Sequence, residues 1–232
     1  MSPLFSESPL VVFTHPEILR GEGEALTVLF ENGLEILHFR KPGLGKEETR
    51  QLLSTLPEKW LERIVLHDHH ELTGEVAVGG IHFNHRNPVP EKTPASGQLH
   101  FSVSAHSFEE IPNFPEWIDE VVFAPVFPSI SKKEYRPAYS ADEMRSGVAE
   151  SKARTHQQYI EVILEKDHHL LFTGLGGISE GNLHLVFELG FDRAAVLGTL
   201  WNDYAHSPDT GLLIQELHQL KRIAARRAAI FS

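Results

Sequence analysis

The chain has 232 residues, 41% of them hydrophobic, a formal net charge of −11 and no cysteine. That length fits one large α/β barrel or two small domains with a real core, and the missing thiols exclude disulfides and thiolate metal sites. The acidic balance argues against a nucleic-acid surface as the main function. The absence of cysteine is also compatible with a cytoplasmic location, which is expected; no apolar run approaches the roughly 18 residues of a membrane span, and the first residues lack the charged start of a signal peptide.

Leu10-Val-Val-Phe13 is a short apolar run ended by Thr14-His15-Pro16, and residues 22–32 carry Ala25, Leu26, Val28, Leu29 and Phe30 at helical spacing before Gly33. The pattern predicts a strand and then a helix with a glycine stop. Residues 34–39 predict a second strand that breaks at Arg40-Lys-Pro-Gly43, and residues 46–56 a helix with Leu52, Leu53 and Leu56 on one face. Ile64-Val-Leu66 reads as a third strand ending in His67-Asp68-His69-His70, and residues 79–83 as a fourth ending in Asn84-His-Arg-Asn87, with a short crossover between them. Residues 99–103 give a fifth strand, after which Ser107 and Glu110 have the spacing of a capping box.

Residues 121–123 form a sixth strand whose exit loop is fixed by Pro125 and Pro128 and then offers Ser129, Ser131, Lys132, Lys133 and Arg136. Hydroxyls and cations on a proline-stiffened loop suit an anion such as a phosphate; the alternative is a solvated basic loop. Residues 140–166 predict a helical layer with Met144, Val148, Tyr159, Val162 and Ile163 inward. Residues 170–173 predict a seventh strand entering Gly174-Leu-Gly-Gly-Ile-Ser179, residues 182–189 a helix, and residues 194–197 an eighth strand followed by Gly198-Thr199. Residues 212–230 close the chain as an amphipathic helix with a solvated basic end.

Eight apolar runs alternate with helical segments and no linker divides the chain, so a single-domain (β/α)₈ TIM barrel over residues 1–232 is the simplest architecture, with an open doubly wound sheet as the competitor. Right-handed crossovers place all strand exits on one rim, where barrels carry their active sites. The polar groups at those exits are Arg40 and Lys41, Asp68, His85 and Asn87, Ser104, Ser129 to Lys132, Gly176 and Gly177, and Gly198. The glycine-rich turn at 174–179, beside Gly198-Thr199, has the composition to bring backbone N–H groups to a phosphate. Arg40 and Lys132, expected on non-adjacent strands of one rim, could both reach a second anionic group across the mouth.

These residues resemble the thiamine phosphate synthase and TenI-type thiazole tautomerase superfamily over nearly the whole chain. The matching pieces are Leu37-His-Phe-Arg40, His67-Asp68, Gly80-Ile-His82, Ser102-Val-Ser-Ala-His-Ser107, Gly176-Gly-Ile178 and, most specific, Ala124-Pro-Val-Phe-Pro-Ser-Ile-Ser-Lys132. The resemblance implies a transferase of thiamine biosynthesis that joins hydroxymethylpyrimidine diphosphate to thiazole phosphate and releases pyrophosphate. It implies that Arg40, Ser104 and Lys132 hold the diphosphate and that Asp68 helps bind Mg²⁺. Ser129, Ser131, Gly176 and Gly177 would take the thiazole phosphate, with backbone near Leu197 and Gly198 assisting, while His38 and His67 stand at the pyrimidine site. The implied partners are small phosphorylated substrates, and a homodimer is compatible with the family.

The chain departs from the family pattern at several points. Pro42 stands where the synthase has a second lysine, and His82-Phe-Asn-His-Arg-Asn87 lacks the second acidic Mg²⁺ ligand, which Asn87 or Arg86 replaces. His38 and His67 replace a glutamine and an asparagine. Pro125 occupies the place of the tautomerase histidine, which favours the synthase, although His106 or His38 could move a proton in a divergent enzyme. A TenI-like tautomerase and a catalytically weakened paralogue that binds thiamine precursors are the alternatives. The five histidines His67, His69, His70, His82 and His85 are expected to be surface residues rather than a transition-metal site.

Overall fold

The computed structural model describes residues 5, 8–94, 99–128, 137–158 and 169–226. Eight parallel strands close into a barrel in sequence order: β1 (Leu10–Phe13), β2 (Leu37–Phe39), β3 (Ile64–Leu66), β4 (Gly80–Phe83), β5 (His100–Ala105), β6 (Glu120–Phe123), β7 (Leu171–Leu175) and β8 (Arg193–Val196). β1 pairs with both β2 and β8, so the sheet has no edge and the open doubly wound alternative is excluded. Around it run α1 (Glu22–Glu31), α2 (Lys46–Ser54), α3 (Glu58–Leu61), α4 (Ala141–Gln158), α5 (Leu183–Glu188), α6 (Gly198–His206) and α7 (Thr210–Ala225). Among the described residues no helix is long and apolar enough to cross a membrane.

Strands buried on both faces explain why the sequence shows continuous apolar runs instead of alternation. Outward residues such as Leu37, Leu66, Phe83, Val121 and Phe172 pack with Leu26, Leu29, Phe187, Trp201 and Leu217 of the helical layer. Inward residues make a second, smaller cluster of Phe5, Val11, Phe13, Ile36, Val65, Val122 and Ala195. Phe5 plugs the N-terminal end of the barrel by stacking on His100, ring centroids 4.5 Å apart.

Several expected boundaries move. β5 runs on to Ala105 and β7 to Leu175, so Ser104 and Gly174 lie within strands and not beyond them. Ser107 starts no helix: Glu110 turns back to accept from the His106 N–H, and only a 3₁₀ turn, Ile111–Asn113, follows. The reciprocal cap appears instead at Ser140 and Glu143, which opens α4; there Ser140 N–H donates to Glu143 Oε2 at 2.8 Å. Met144 and Val148 are buried as expected, whereas Tyr159, Val162 and Ile163 lie outside the described residues. Gly198-Thr199, read as a loop, is the first turn of α6, and Trp201 in that helix donates its indole N–H to the Phe13 carbonyl at 2.7 Å, tying α6 to the end of β1.

Candidate active site at the barrel mouth

Pairing register and the two-residue side-chain period bring three imidazoles together inside the C-terminal half of the barrel. His38 lies beside Val65 on β3, His67 comes two residues after Val65 and directly follows β3, and His82 lies beside Ser102 on β5. All three are buried, and each offers a ring nitrogen such that the three atoms lie within 4.8 Å of one another. The rings of His67 and His82 stack with centroids 4.0 Å apart. The expectation of surface histidines therefore fails for His67 and His82: His82 is an inward residue of β4 itself, and the first residue past β3 also points inward.

Hydrogen bonding fixes how these rings are held. Glu120 on β6 is fully buried; burial pushes its pKa up, but the Arg193 charge, the hydrogen bond from His100 and the nearby His38 ring outweigh that and hold it well below the usual carboxylate range. Its Oε1 accepts from Arg193 Nη1 at 3.2 Å and from the Thr173 hydroxyl, and its Oε2 accepts from His100 Nε2 at 2.9 Å. His38 Nε2 is 3.7 Å from Oε2, too long for a hydrogen bond but close enough for the carboxylate to favour a proton there. His38 Nδ1 then carries a lone pair and accepts from His67 Nε2 at 3.0 Å. His82 places Nδ1 and Nε2 each 2.8 Å from Ser102 Oγ and Ser104 Oγ, so Ser104 joins the histidine floor from the mouth side.

Burial lowers the pKa of all three histidines, most for His67 and His82, where the neighbouring imidazoles add to the shift. They are neutral at pH 7, so the floor offers polar but uncharged groups. That is a surface for a flat, hydrogen-bonding heterocycle.

Above the floor stand the rim residues. Arg40, at the exit of β2, is half-buried, and its charge contributes to lowering both His67 and His82. Its neighbour Lys41 does not face the mouth. Lys41 is buried with Nζ 2.5 Å from Glu22 Oε1 and donates to the carbonyls of His15 and Glu17 at 2.8 and 2.7 Å. It spends its three N–H bonds as a clamp on the loop between β1 and α1, so the missing lysine of the pattern is not supplied from position 41.

Asp68, at the exit of β3, receives Arg86 Nη2 at 3.2 Å on both oxygens and Asn87 Nδ2 at 3.1 Å on Oδ1. Its near neighbours are therefore donors. Mg²⁺ requires oxygen ligands, preferably anionic, and the positions where a second carboxylate would serve hold a guanidinium and an amide. This donor set does not fit Mg²⁺.

The loops after β6 and β7 are held together largely through backbone. Val126 N–H donates to Leu175 O at 2.9 Å and Phe127 N–H to Gly176 O at 3.0 Å, so the loop after β6 is zipped to the end of β7. Gly177 has φ +65°, and a Cβ there would lie 2.5 Å from Pro128 O and 2.6 Å from Phe127 O, which only glycine tolerates. Asn182 holds the turn by accepting from Ser179 N–H and donating to Gly177 O, and Thr199 donates to Ile178 O at 2.6 Å. Gly198 follows Leu197 at the β8 exit and starts α6, so the N–H groups of a helix start converge beside the glycine turn. Ser129, Ser131 and Lys132 lie outside the described residues. Sequence reasoning missed Glu120, His100 and Arg193; an acidic and a basic residue inside apolar strands was the available signal.

A closed parallel barrel with its polar side chains gathered on the C-terminal rim is the arrangement of a (β/α)₈ barrel enzyme. The family model described as thiamine monophosphate synthase matches residues 10–200, and the chain belongs to that family. Curated relatives include the thiamine-phosphate synthase of Leuconostoc citreum, 25% identical over 191 residues that cover 77% of this chain and 82% of the relative. The thiamine-phosphate synthase of Listeria monocytogenes is 24% identical over 204 residues, covering 82% and 88%. Among solved structures, a thiamine phosphate pyrophosphorylase from Bacteroides thetaiotaomicron is 33% identical with a TM-score of 0.74, covering 94% of this chain and 98% of that one. A thiamine phosphate pyrophosphorylase from Pyrococcus furiosus, at 18% identity and a TM-score of 0.68 over 94% and 96%, shares the fold.

Proposed function

We propose that the chain acts as a thiamine phosphate synthase, a transferase that joins hydroxymethylpyrimidine diphosphate to thiazole phosphate and releases pyrophosphate. The observation that carries this most is that Arg40, Asp68, Ser104, the Gly176-Gly177 turn and Leu197-Gly198 stand at one mouth over a neutral imidazole floor. In this reading the pyrimidine lies on His38 and His67. Arg40, Ser104 and Lys132 hold the diphosphate, and Ser129, Ser131, Gly176 and Gly177 hold the thiazole phosphate beside the start of α6. The substrates are small phosphorylated molecules, and the site of action is cytoplasmic.

The chemistry asks little proton transfer of the protein. The bond between the pyrimidine methylene and the diphosphate oxygen breaks, and its electron pair leaves with pyrophosphate, where arginine and lysine stabilise the growing charge. The thiazole nitrogen lone pair then forms the new C–N bond, so positioning dominates the rate. Pro125 leaves the loop after β6 without the tautomerase histidine, and His106 is engaged, its Nδ1 donating to Ala124 O at 2.8 Å. The test is to mix purified protein with both precursors, with and without Mg²⁺, and measure thiamine phosphate and pyrophosphate. Product in equal amounts is expected; a rearranged thiazole carboxylate with no coupling would make the protein a tautomerase instead.

A further inference from the structure

We propose that the diphosphate site at this mouth is metal-free, with the Arg86 guanidinium standing where a divalent cation would otherwise be held. The inference rests on the synthase reading for its ligand, a diphosphate, and on the geometry of the β3 and β4 exits for its substance.

The turn after β4 is rigid by construction. Asn84 N–H donates to Asn87 O at 2.8 Å and Asn87 N–H returns to Asn84 O at 3.0 Å, while the Asn84 side chain accepts from Arg86 N–H at 2.9 Å. Asn87 then clamps the turn to the exit of β3 through Nδ2, 2.9 Å from His67 O and 3.1 Å from Asp68 Oδ1. Arg86 is thus delivered onto Asp68, with Nη2 3.2 Å from each carboxylate oxygen. Among the described residues the guanidinium bonds through Nη2 to Asp68 alone, which leaves its Nη1 and Nε edges for phosphate oxygens.

Charge counting separates this site from a metal site. One carboxylate and one guanidinium balance with no ion, just as two carboxylates would balance one Mg²⁺. Adding Mg²⁺ to Asp68 would set two positive charges against a guanidinium already in contact with both oxygens. Turning the Asn87 amide to offer its oxygen would break its bond to His67 O and point a lone pair at that carbonyl. The same substitution answers the lysine deficit, because Lys41 is locked inside on Glu22 and cannot reach a leaving group. Arg86, half-exposed and at the exit of the strand beside that of Asp68, stands on the same rim as Arg40.

The measurement is calorimetric titration of inorganic pyrophosphate into protein stripped with EDTA, repeated with excess Mg²⁺, alongside coupling assays in both conditions. Pyrophosphate binding should change by less than about threefold on adding Mg²⁺, and coupling should persist in EDTA. Arg86→Ala should weaken pyrophosphate binding in EDTA by about tenfold or more, the scale of one charged contact. Arg86→Asp, which places a second acid beside Asp68, should make binding depend on Mg²⁺. Coupling that needs Mg²⁺ and vanishes in EDTA overturns the inference and leaves the synthase reading standing. Pyrophosphate bound in EDTA without coupling under any condition supports the inference and removes the synthase. Absence of pyrophosphate binding in both conditions overturns the inference as well.

Discussion

His38 Nδ1 and His67 Nε2 lie 3.0 Å apart inside the barrel, and one proton serves both rings. Because Glu120 favours the proton on the far nitrogen of His38, the donor of this bond is His67, and the pair works only while both rings are neutral. Acid should therefore attack the protein here first.

The folded pKa values of His38, His67 and His82 lie below the ordinary 6.5 because burial disfavours the charged ring. Above pH 6.5 neither the folded nor the unfolded state binds these protons, and stability is intact. As the pH falls below 6.5, the unfolded chain takes up protons that the folded chain refuses, so stability declines until the folded values are reached. Each unit of depression is about 1.4 kcal/mol, and 1 kcal/mol is about 2–4 °C in Tm for a chain of this size. Melting curves from about pH 7.5 to 5.5 should show this fall, and the double variant His38→Gln, His67→Asn should flatten it. An unchanged acid limb in that variant would mean that the titration lies elsewhere.

Glu120 is a buried anion shared by Arg193, His100 and Thr173, and its loss strands Arg193 in the core. Glu120→Ala should cost about 3–5 kcal/mol in denaturant unfolding, the usual scale for breaking one partner out of a buried pair. Pairing Glu120→Leu with Arg193→Met should recover much of that loss. If the single variant is no less stable than the parent, the cluster is not held by charge.

Lys41 gives the complementary result. Lys41→Ala leaves Glu22 buried without its cation and should also destabilise by about 3–5 kcal/mol. Its affinity for inorganic pyrophosphate should stay within about threefold of the parent, because the ammonium faces the β1 to α1 loop and not the mouth. A tenfold loss of pyrophosphate affinity in stable protein would return Lys41 to the anion site.

Gly177→Ala forces a Cβ against the carbonyls of Pro128 and Phe127 at a left-handed φ, so loops six and seven must separate. The backbone strain alone is about 1–3 kcal/mol, and the KM for the thiazole partner should rise by about tenfold or more. Wild-type KM in the folded variant would show that the turn does not hold that substrate.

The two anion sites should separate kinetically. Lys132→Ala should lower kcat by about 10²-fold, since its attraction grows as the leaving group gains charge, whereas Ser129→Ala with Ser131→Ala should chiefly raise the KM for thiazole phosphate. An intact kcat with weakened thiazole binding in Lys132→Ala would exchange the assignments.

The barrel was legible because each strand is a short apolar run that ends in a polar exit, and closure needs no signal beyond eight of them. α6 was not legible, since Gly198-Thr199 looks like a turn until Trp201 is seen bonding to Phe13. Side-chain direction was the other limit. Lys41 beside Arg40, and His67 and His82 within a histidine-rich stretch, read alike on paper. Inward or outward orientation is set by register across strands, which adjacent letters do not carry.

At Gly176 and Gly177 the wall of the mouth is main chain, packed against the main chain of residues 125–128. A wall without side chains cannot be retuned by ordinary substitution; it offers the same amides whatever sequence surrounds it. Diversification of this mouth is therefore confined to the opposite side, where positions 38, 67 and 86 carry removable groups. All three are among the positions at which the chain parts from its family's pattern.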